Sequence, residues 1–247
     1  MCYRYKAIVS YDGYDYYGFQ HQSGYRTIEL ELVNAFSRWI NKEVKIVGSG
    51  RTDKGVHSKG QTIHFDLDIN INPHNLKRAL NTFLPIDIRI IEAFKVDNNF
   101  HARFSAVRKV YSYTLSKTEL TPFNYRYQSY YKNLDYDKMI SAAKLLVGTH
   151  DFKGLCSADI DPRKPTVKTI YSIDVINNDN EIIFLFNGNG FLKYQVRRMM
   201  GLLVDIGLSH KTESDLLNIL ETKDPSLSHR IVPGNGLCLL EVIYEGA

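Results

Sequence analysis

The order of strand-like and helix-like segments in the first part of the chain restricts its fold strongly. Residues 3–12 alternate apolar and polar side chains with a period of two, as a half-buried strand does. Thr27 can cap a following helix with an apolar stripe, and Pro73 can open a second helix. The predicted elements are a strand at 3–12, a helix at 27–41, strands at 44–47 and 61–66, a helix from 73 that ends before 85, and a strand at 88–94. This β-α-β-β-α-β order is typical of ferredoxin-like, split βαβ units.

A second, looser run of the same kind follows. Its predicted elements are strands at 109–116, 127–131, 169–176, 182–187 and 237–244, and helices at 135–147, 191–206 and 213–221. The halves share no visible sequence identity, so an internal duplication rests on element order only. Because no long linker separates them, we expect an α+β fold made of two split βαβ halves, residues 1–105 and 106–247. The halves are predicted to form one continuous mixed, mainly antiparallel sheet, with helices on one face and a basic cleft on the other.

One carboxylate stands out in the stretch GSGRTDKGVHSKGQTIHFD at residues 48–66. Asp53 lies between Arg51 and Lys54, and cations nearby favour the charged form of a carboxyl group. Such a carboxylate can act as a nucleophile or stabilise charge. The letters TDKG at 52–55 are equally typical of a simple turn, because Asp can bond its own backbone and Gly accepts a left-handed conformation. Composition alone therefore leaves both interpretations open.

Two motifs resemble those of the tRNA pseudouridine synthase A family. The letters GRTDKGVH at 50–57 are similar to the family's signature, whose aspartate is catalytic, and this implies a catalytic role for Asp53. The letters FHARFSA at 100–106, followed by a basic stretch and Tyr-x-Tyr, are similar to the second motif. That similarity implies that Tyr111 stacks on the base in the active site, and Tyr111 is also a candidate catalytic residue that assists removal of the proton from C5 after the uracil rejoins. Cations interleaved with aromatic rings also suit nucleic-acid binding, although a half-buried edge strand shows the same letters.

A third match lies at residues 191–201, where the pattern F-x-x-x-x-V-R-x-x-x-G resembles the motif whose arginine pairs with the catalytic aspartate. This implies Arg197, with Arg198 as the alternative. On a helical wheel Arg197 lies opposite a stripe that contains Phe191, Tyr194 and the apolar residues after them. The family's C-terminal Gly-Leu-x-Leu segment is matched from residue 236, and there Leu237 is expected to line the pocket for the base.

The resemblance spans nearly the whole chain, from residue 3 to residue 244, and it implies further binding residues. Arg51 is expected to hold the displaced nucleotide through phosphate or stacking contacts, and His57 to organise the loop at the substrate. Lys54 is expected to bind phosphate because of its own charge, since it departs from the family pattern. Lys54 replaces a frequent alanine of the family, Glu29 stands where glutamine is common, and Cys238 where tyrosine is common. None of these differences removes a chemical group that the reaction needs.

The activity implied is isomerisation of uridine to pseudouridine in the anticodon arm of tRNA, at the family's positions 38–40. A stacked uridine must be flipped into a pocket before it can react. Asp53 then attacks C1′, removes a ribose proton or adds to the base, and the sequence leaves these three routes open. One glycosidic bond is exchanged for another, so no cofactor is required, and no P-loop or Rossmann fingerprint occurs. The resemblance also implies a homodimer.

Charge and composition narrow the alternatives. Residues 1–118 carry 17 Lys and Arg against 11 Asp and Glu, which suits a polyanionic partner, although a solvated basic face gives the same count.

No apolar run or N-terminal signal suggests a membrane or secretion, so we expect a cytoplasmic protein. The spacing of cysteines and histidines favours neither disulfides nor a metal site. A non-catalytic RNA-binding module and a glycosidase are the rivals; a glycosidase normally needs two cooperating carboxylates.

Overall fold

The computed structural model describes residues 2–161, 163, 165–228 and 230–245. Contacts group the described chain into two compact units. The first unit contains the residues up to Val107 and those from Cys238 onward, and the second unit contains Arg108–Leu237. The division expected at 105/106 assigned the last strand to the C-terminal half, whereas the structure groups residues after Leu237 with the first unit.

Strands and helices alternate much as expected. Up to residue 96 they are β1 (Tyr3–Tyr11), α1 (Ile28–Ile40), β2 (Val47–Gly48), β3 (His57–Leu67), α2 (Pro73–Phe83) and β4 (Ile88–Val96). The later elements are β5 (Ala106–Ser116), β6 (Ser129–Tyr130), α3 (Tyr136–Lys144), β7 (Gly148–Asp151), β8 (Val167–Asn177), β9 (Glu181–Gly188), α4 (Gln195–Gly207), α5 (Glu213–Thr222) and β10 (Leu237–Tyr244). The predicted α+β class is confirmed. No helix in the described part of the chain is both long enough and apolar enough to cross a membrane.

The first unit contains a mixed sheet in the order β4-β1-β3-β10. Strand β1 is antiparallel to both β3 and β4, while β10 runs parallel to β3 with Cys238 opposite His57. Strand β2 is shorter than predicted: only Val47 and Gly48 pair with β3, although the preceding Val44 and Ile46 are buried. The first strands thus place the loop after β2 at the margin of this sheet.

The core of the first unit lies between this sheet and its two helices. Alternate side chains of β1, Tyr5, Ala7 and Val9, are fully buried in a cluster with Leu32 of α1 and Leu80 of α2. The predicted caps are present, because the Thr27 hydroxyl accepts the amide hydrogen of Leu30 (3.4 Å) and Pro73 is the first residue of α2. Helix capping and period-two alternation therefore form this half as the sequence indicates.

The second unit contains a sheet in the order β5-β9-β8-β7, with β6 beside β5. Neighbours along that order, β5 with β9, β9 with β8 and β8 with β7, pair antiparallel, while β6 runs parallel to β5. Ile182, Phe184 and Phe186 alternate along β9 and are fully buried. Strand β7 was not predicted, because GTHD has little strand character of its own and forms a strand through pairing with β8.

Helix α4 begins later than the sequence suggested. Gly190 and Tyr194 have φ angles of 151° and 62°, so the chain before Gln195 is not helical. The predicted wheel was therefore wrong for Phe191 and Tyr194, which precede the helix. From Gln195 onward α4 is buried on nearly every side, and Arg197 is among its few partly exposed residues.

Candidate active site

The loop that carries Asp53 joins β2 to β3, and we call residues 49–56 the Asp53 loop. Its first residues are fixed to β3 by buried polar groups. The Ser49 amide donates to the carbonyl of Thr62 (2.8 Å), and the Ser49 hydroxyl donates to Oε1 of Gln61 (2.7 Å). The Gln61 Nε2 in turn donates to the carbonyl of Gly50 (2.9 Å). Gln61 is fully buried, so losing these partners would leave polar atoms desolvated, and the start of the loop is held firmly.

An aromatic segment, residues 12–26, lies directly on the Asp53 loop. The amide of Phe19 donates to the carbonyl of Thr52 (3.0 Å), and the amide of Gly55 donates to the carbonyl of Tyr16 (3.2 Å). These two bonds bracket Asp53, one on each side of it in sequence. The position of the carboxylate therefore depends on Tyr16 and Phe19, which lie more than thirty residues earlier in the chain.

Close approach between these two stretches requires glycine. A Cβ atom on Gly13 would lie 1.9 Å from the carbonyl oxygen of Val56. The amide of Gly13 also donates to Nδ1 of His57 (3.0 Å), whose buried ring stands at the start of β3. His57 thus bonds the segment that packs against Val56, and its expected roles in organising the loop and contacting substrate stay predictions.

The Asp53 loop also contains a turn. The Val56 amide donates to the carbonyl of Asp53 (3.2 Å), and Gly55 has a φ of 77°, so the turn that composition favoured is present. This turn leaves the Asp53 side chain partly exposed and those of Arg51 and Lys54 exposed. The Nη1 of Arg51 donates to the side-chain carbonyl of Gln20 (2.6 Å). Turn geometry and a catalytic position for Asp53 are therefore compatible.

A buried hydroxyl pair lies beneath the loop. The Tyr11 hydroxyl is 2.9 Å from the Thr52 hydroxyl, and both side chains are buried. Burial raises the pKa of Tyr11 above its ordinary value, so its hydroxyl stays protonated and can bond Thr52. This contact fixes the residue that immediately precedes Asp53.

The FHARFSA segment is anchored mainly through its backbone. Arg4 donates to the carbonyl of Phe100 (3.0 Å), the amide of Ala102 donates to Nδ1 of His64 (3.1 Å), and Tyr244 donates to the carbonyl of Ala102 (2.7 Å). Burial, with the nearby Arg4 guanidinium, lowers the pKa of His64 to about 4, so its ring is neutral and can accept. This motif is therefore fastened to the first unit by three side chains.

The outward side chains of the same segment form a small exposed cluster. The rings of His101 and Phe104 have centroids 4.4 Å apart, the Arg103 guanidinium is 5.6 Å from the Phe104 centroid, and Phe104 is 77% exposed. A cation beside exposed rings is the combination expected from the sequence for contact with nucleic acid. The segment thus joins a structural anchor to an exposed aromatic surface.

The other predicted site residues lie in the second unit. Tyr111 of β5 is opposite Phe186 of β9, and its ring meets Phe191 edge-on at 5.2 Å between centroids. In α4, Nε of Arg197 donates to the carbonyl of Val232 (2.8 Å).

Leu237 is the first residue of β10 and is buried. The alternative arginine, Arg198, donates to the carbonyl of Ser228 (2.5 Å). Arg51, Asp53, Lys54 and His57 all belong to the first unit, where Arg51 and Lys54 are exposed, Asp53 is partly exposed and His57 is buried. Their convergence with Tyr111, Arg197 and Leu237 stays a prediction.

Sequence reasoning assigned no part in the site to the aromatic segment or to Gln61. The sequence signal for the aromatic segment is the run YDGYDYYGFQ at 11–20, where glycines lie among aromatic residues. Glycine spacing alone, however, does not show which other segment of the chain these glycines approach. Among the described residues, no group of three or more His, Cys, Asp or Glu side chains is arranged to hold a metal ion.

Comparison with known proteins agrees with the motifs. The family model for tRNA pseudouridine synthase matches residues 7–105 and 142–245. A tRNA pseudouridine synthase A from Limosilactobacillus reuteri (strain DSM 20016) is 41% identical over 249 residues, covering 98% of this chain and 97% of that protein. The protein of the same name from Listeria monocytogenes serotype 4b (strain CLIP80459) is 41% identical over 247 residues, covering 98% of this chain and 99% of that protein.

Among solved structures, a chain of the crystal structure of a Cbf5-Nop10-Gar1 complex aligns at 12% identity with a TM-score of 0.35. That alignment covers 81% of this chain and 54% of the other, and a TM-score this low carries no argument. The relatives and the family model match both units. The family model includes every predicted site residue except Tyr111, which lies between its two matched ranges, while the alignment with the Limosilactobacillus reuteri relative covers 98% of the chain. The chain belongs to the tRNA pseudouridine synthase family.

Proposed function

We propose that this protein isomerises uridine to pseudouridine in the anticodon arm of tRNA, at positions 38–40, with Asp53 as the catalytic residue. The N1–C1′ bond of the nucleoside breaks, the uracil rotates, and a C5–C1′ bond forms. C5 loses its proton and N1 gains one, so substrate and product are isomers. The reaction has no net oxidation and consumes no energy source, and the proposal includes no cofactor.

The placement of Asp53 is the observation that carries this proposal. Its carboxylate is partly exposed on a loop whose flanking residues bond β3 below and the aromatic segment above. A catalytic group works best when the protein holds it in position before the substrate arrives. Asp53 has this support, and it stands in the motif whose aspartate is catalytic in the family.

The remaining roles follow from exposure and charge. Arg51 is exposed two residues before Asp53, where its guanidinium can hold the displaced nucleotide while the uridine is flipped out of its stack. Tyr111 is proposed to lie against the uracil face, with Leu237 lining the pocket. Arg197 is proposed to keep Asp53 ionised and oriented. Attack at C1′, removal of a ribose proton and addition to the base are all open to a carboxylate so placed.

The proposed assembly is a homodimer that binds the anticodon arm across its basic surface. The excess of Lys and Arg in residues 1–118 supports a polyanionic substrate, because a net positive field attracts phosphates. The dimer itself is supported by the family resemblance alone.

The decisive experiment incubates the protein with an unmodified tRNA transcript and separates pseudouridine from free uracil in the products. The proposal predicts pseudouridine at positions 38–40 and no uracil. Asp53→Asn should abolish turnover while tRNA affinity changes by no more than a few-fold. The matched control is Asp179→Asn, which changes an exposed aspartate in the turn between β8 and β9 and should behave as the unaltered protein.

Each alternative has its own result in this assay. Free uracil would identify a glycosidase, and binding without any product would identify an RNA-binding module. Appreciable turnover by Asp53→Asn would refute the catalytic assignment even if pseudouridine forms.

A further inference from the structure

Three side chains beside Asp53 form a stacked column that the reaction scheme above does not use. The rings of Tyr17 and Tyr25 are stacked with centroids 4.1 Å apart. The ammonium group of Lys54 lies 3.9 Å from the centroid of the Tyr17 ring. A ring and an ammonium group cannot occupy the same space, so at these distances they lie on opposite faces of Tyr17. The order of the column is therefore Lys54, Tyr17, Tyr25.

The column is exposed at the surface of the first unit. Tyr17 is 39% exposed and Tyr25 is 47% exposed, and Lys54 is also exposed. Because both faces of the Tyr17 ring are covered, Tyr17 is exposed at its ring edge. Within the column, Tyr25 is the end member and is stacked on one face, by Tyr17. Exposed apolar side chains that are grouped together, unlike single ones, are typical of binding sites.

Hydrogen bonds within the aromatic segment fix the column in place. The amide of Tyr17 donates to the carbonyl of Arg26 (2.9 Å), and Nε2 of Gln22 donates to the carbonyl of Tyr17 (2.9 Å). The amide of Tyr25 donates to the carbonyl of Gln22 (3.2 Å), which closes the turn that returns Tyr25 over Tyr17. The two rings are therefore placed by their backbone and can act as a preformed surface.

Lys54 connects the column to the site, since it follows Asp53 directly in the chain. An ammonium group over an aromatic face keeps donors that point away from the ring, and these can bond a phosphate oxygen. Aromatic faces stack with unpaired bases of any sequence, and basic groups beside them neutralise the backbone. The column offers both groups next to the proposed catalytic carboxylate.

We propose that Tyr25 stacks on an unpaired base of the substrate RNA next to the target uridine, while Lys54, positioned by Tyr17, binds a phosphate of the same strand. Tyr25 and Lys54 are then RNA-binding residues, and Tyr17 is a positioning residue that acts through Lys54. This inference rests on the proposed function, because it takes tRNA to be the substrate. It adds Tyr25 and Tyr17, to which the family motifs assign no role, to the phosphate contact already expected of Lys54.

Affinity for an unmodified tRNA transcript, measured at several salt concentrations, tests each member of the column. Tyr25→Ala should weaken binding about 5- to 150-fold, the range for loss of one stacked base, with the larger part of the change in KM rather than kcat. Tyr25→Phe keeps the ring and should retain most of the affinity. Lys54→Gln should lower the slope of log K against log salt by about 0.7–0.9, the value for one phosphate contact.

The positioning role of Tyr17 has a separate signature. Tyr17→Leu should lower the salt slope as Lys54→Gln does, and combining the two changes should lower it no further. Tyr17→Phe keeps the aromatic face and should restore the slope. Lys45→Gln is the matched control, because Lys45 is an exposed lysine of the same unit outside the column, and it should leave the slope as it was. Melting temperatures of all variants report whether they fold.

The outcomes separate this inference from the proposed function. If the unaltered protein forms no pseudouridine, the proposed function fails, whatever the variants bind. If it forms pseudouridine but folded Tyr25→Ala binds tRNA as tightly as the unaltered protein, the stacking role is overturned. Equal salt slopes for Lys54→Gln and Lys45→Gln would overturn the phosphate contact, and additive effects of Tyr17→Leu and Lys54→Gln would overturn the positioning role.

Discussion

Acid should weaken the first unit through one buried histidine, His64. Its Nδ1 accepts the amide hydrogen of Ala102 (3.1 Å), which it can do only while that nitrogen carries no proton. Burial, followed by the charge of Arg4 and the neighbouring His101, lowers the pKa of His64 to about 4, and only the Asp66 carboxylate opposes this. Protonation would leave the Ala102 amide without its acceptor and place a charge where the side chain is 5% exposed.

The sign and size of the effect follow from linkage between proton binding and folding. In the unfolded chain His64 titrates near its ordinary pKa of 6.5, and in the folded chain near 4. The neutral ring therefore contributes its full stabilisation above pH 6.5, and this contribution is lost as the pH falls towards 4. Between pH 7 and pH 5 the free energy of unfolding can fall by at most about 2 kcal/mol through His64. Because solvent screens part of this effect, we expect a fall of about 1–2 kcal/mol.

Unfolding by urea, followed by tryptophan fluorescence, measures this loss. The single tryptophan, Trp39, packs against the core of the first unit, so its emission reports the unfolding of that unit. The free energy of unfolding should fall between pH 7 and pH 5 by about 1–2 kcal/mol more in the unaltered protein than in His64→Gln. Glutamine can accept the Ala102 amide hydrogen through its side-chain carbonyl and does not titrate.

Two results would refute this reasoning. An NMR titration that gives His64 a pKa near 6.5 in the folded protein would mean that burial and Arg4 do not disfavour its charge. An equal loss of stability in His64→Gln would mean that other groups cause the pH dependence.

Three further predictions concern the loop, the tyrosine and the assembly. Gly13→Ala should lower kcat/KM about tenfold or more and cost about 1–3 kcal/mol of stability, because the added Cβ displaces Val56. Steady-state kinetics and urea unfolding of the variant check this, and unchanged kinetics would mean that the loop tolerates the displacement. Tyr111→Phe should bind tRNA as well as the unaltered protein does, and normal turnover in single-turnover assays would show that the hydroxyl takes no part in the chemistry. Sedimentation should give a dimer, and a mass near 28.4 kDa at working concentration would count against it.

Elements with strong local signals could be predicted from the sequence. Strand β10 has the predicted bounds, and α1 begins after its predicted cap, Thr27, because capping and periodicity depend on residues close in sequence. The start of α4 could not be predicted in this way. The apolar period continues backward through Phe191, but Gly190 and Tyr194 take positive φ angles that the letters do not reveal.

The catalytic candidate was found from its motif, whereas its support was not. Gly13 and Gly55 are separated by more than forty residues, and each matters because of what its backbone meets: Gly13 approaches Val56, and the Gly55 amide bonds Tyr16. Periodicity describes one element at a time and says nothing of such pairs. For the same reason the column beside Asp53 could not be predicted, since stacking of Tyr17 on Tyr25 depends on a turn that is closed by bonds between backbone groups.

The way the loop is held decides how a change at Asp53 should be interpreted. The hydrogen bonds that fix the loop are made by the neighbours of Asp53 within it: the Thr52 carbonyl and hydroxyl, the Gly55 amide and the Gly50 carbonyl. Asp53 itself accepts the Val56 amide hydrogen through its backbone carbonyl, a group that asparagine also has. Asparagine has nearly the same shape as aspartate and lacks only the charge, so Asp53→Asn should leave these bonds intact and melt within a few degrees of the unaltered protein. A complete loss of turnover would then report the chemistry of the carboxylate, whereas a large drop in melting temperature would mean that its charge also holds the loop.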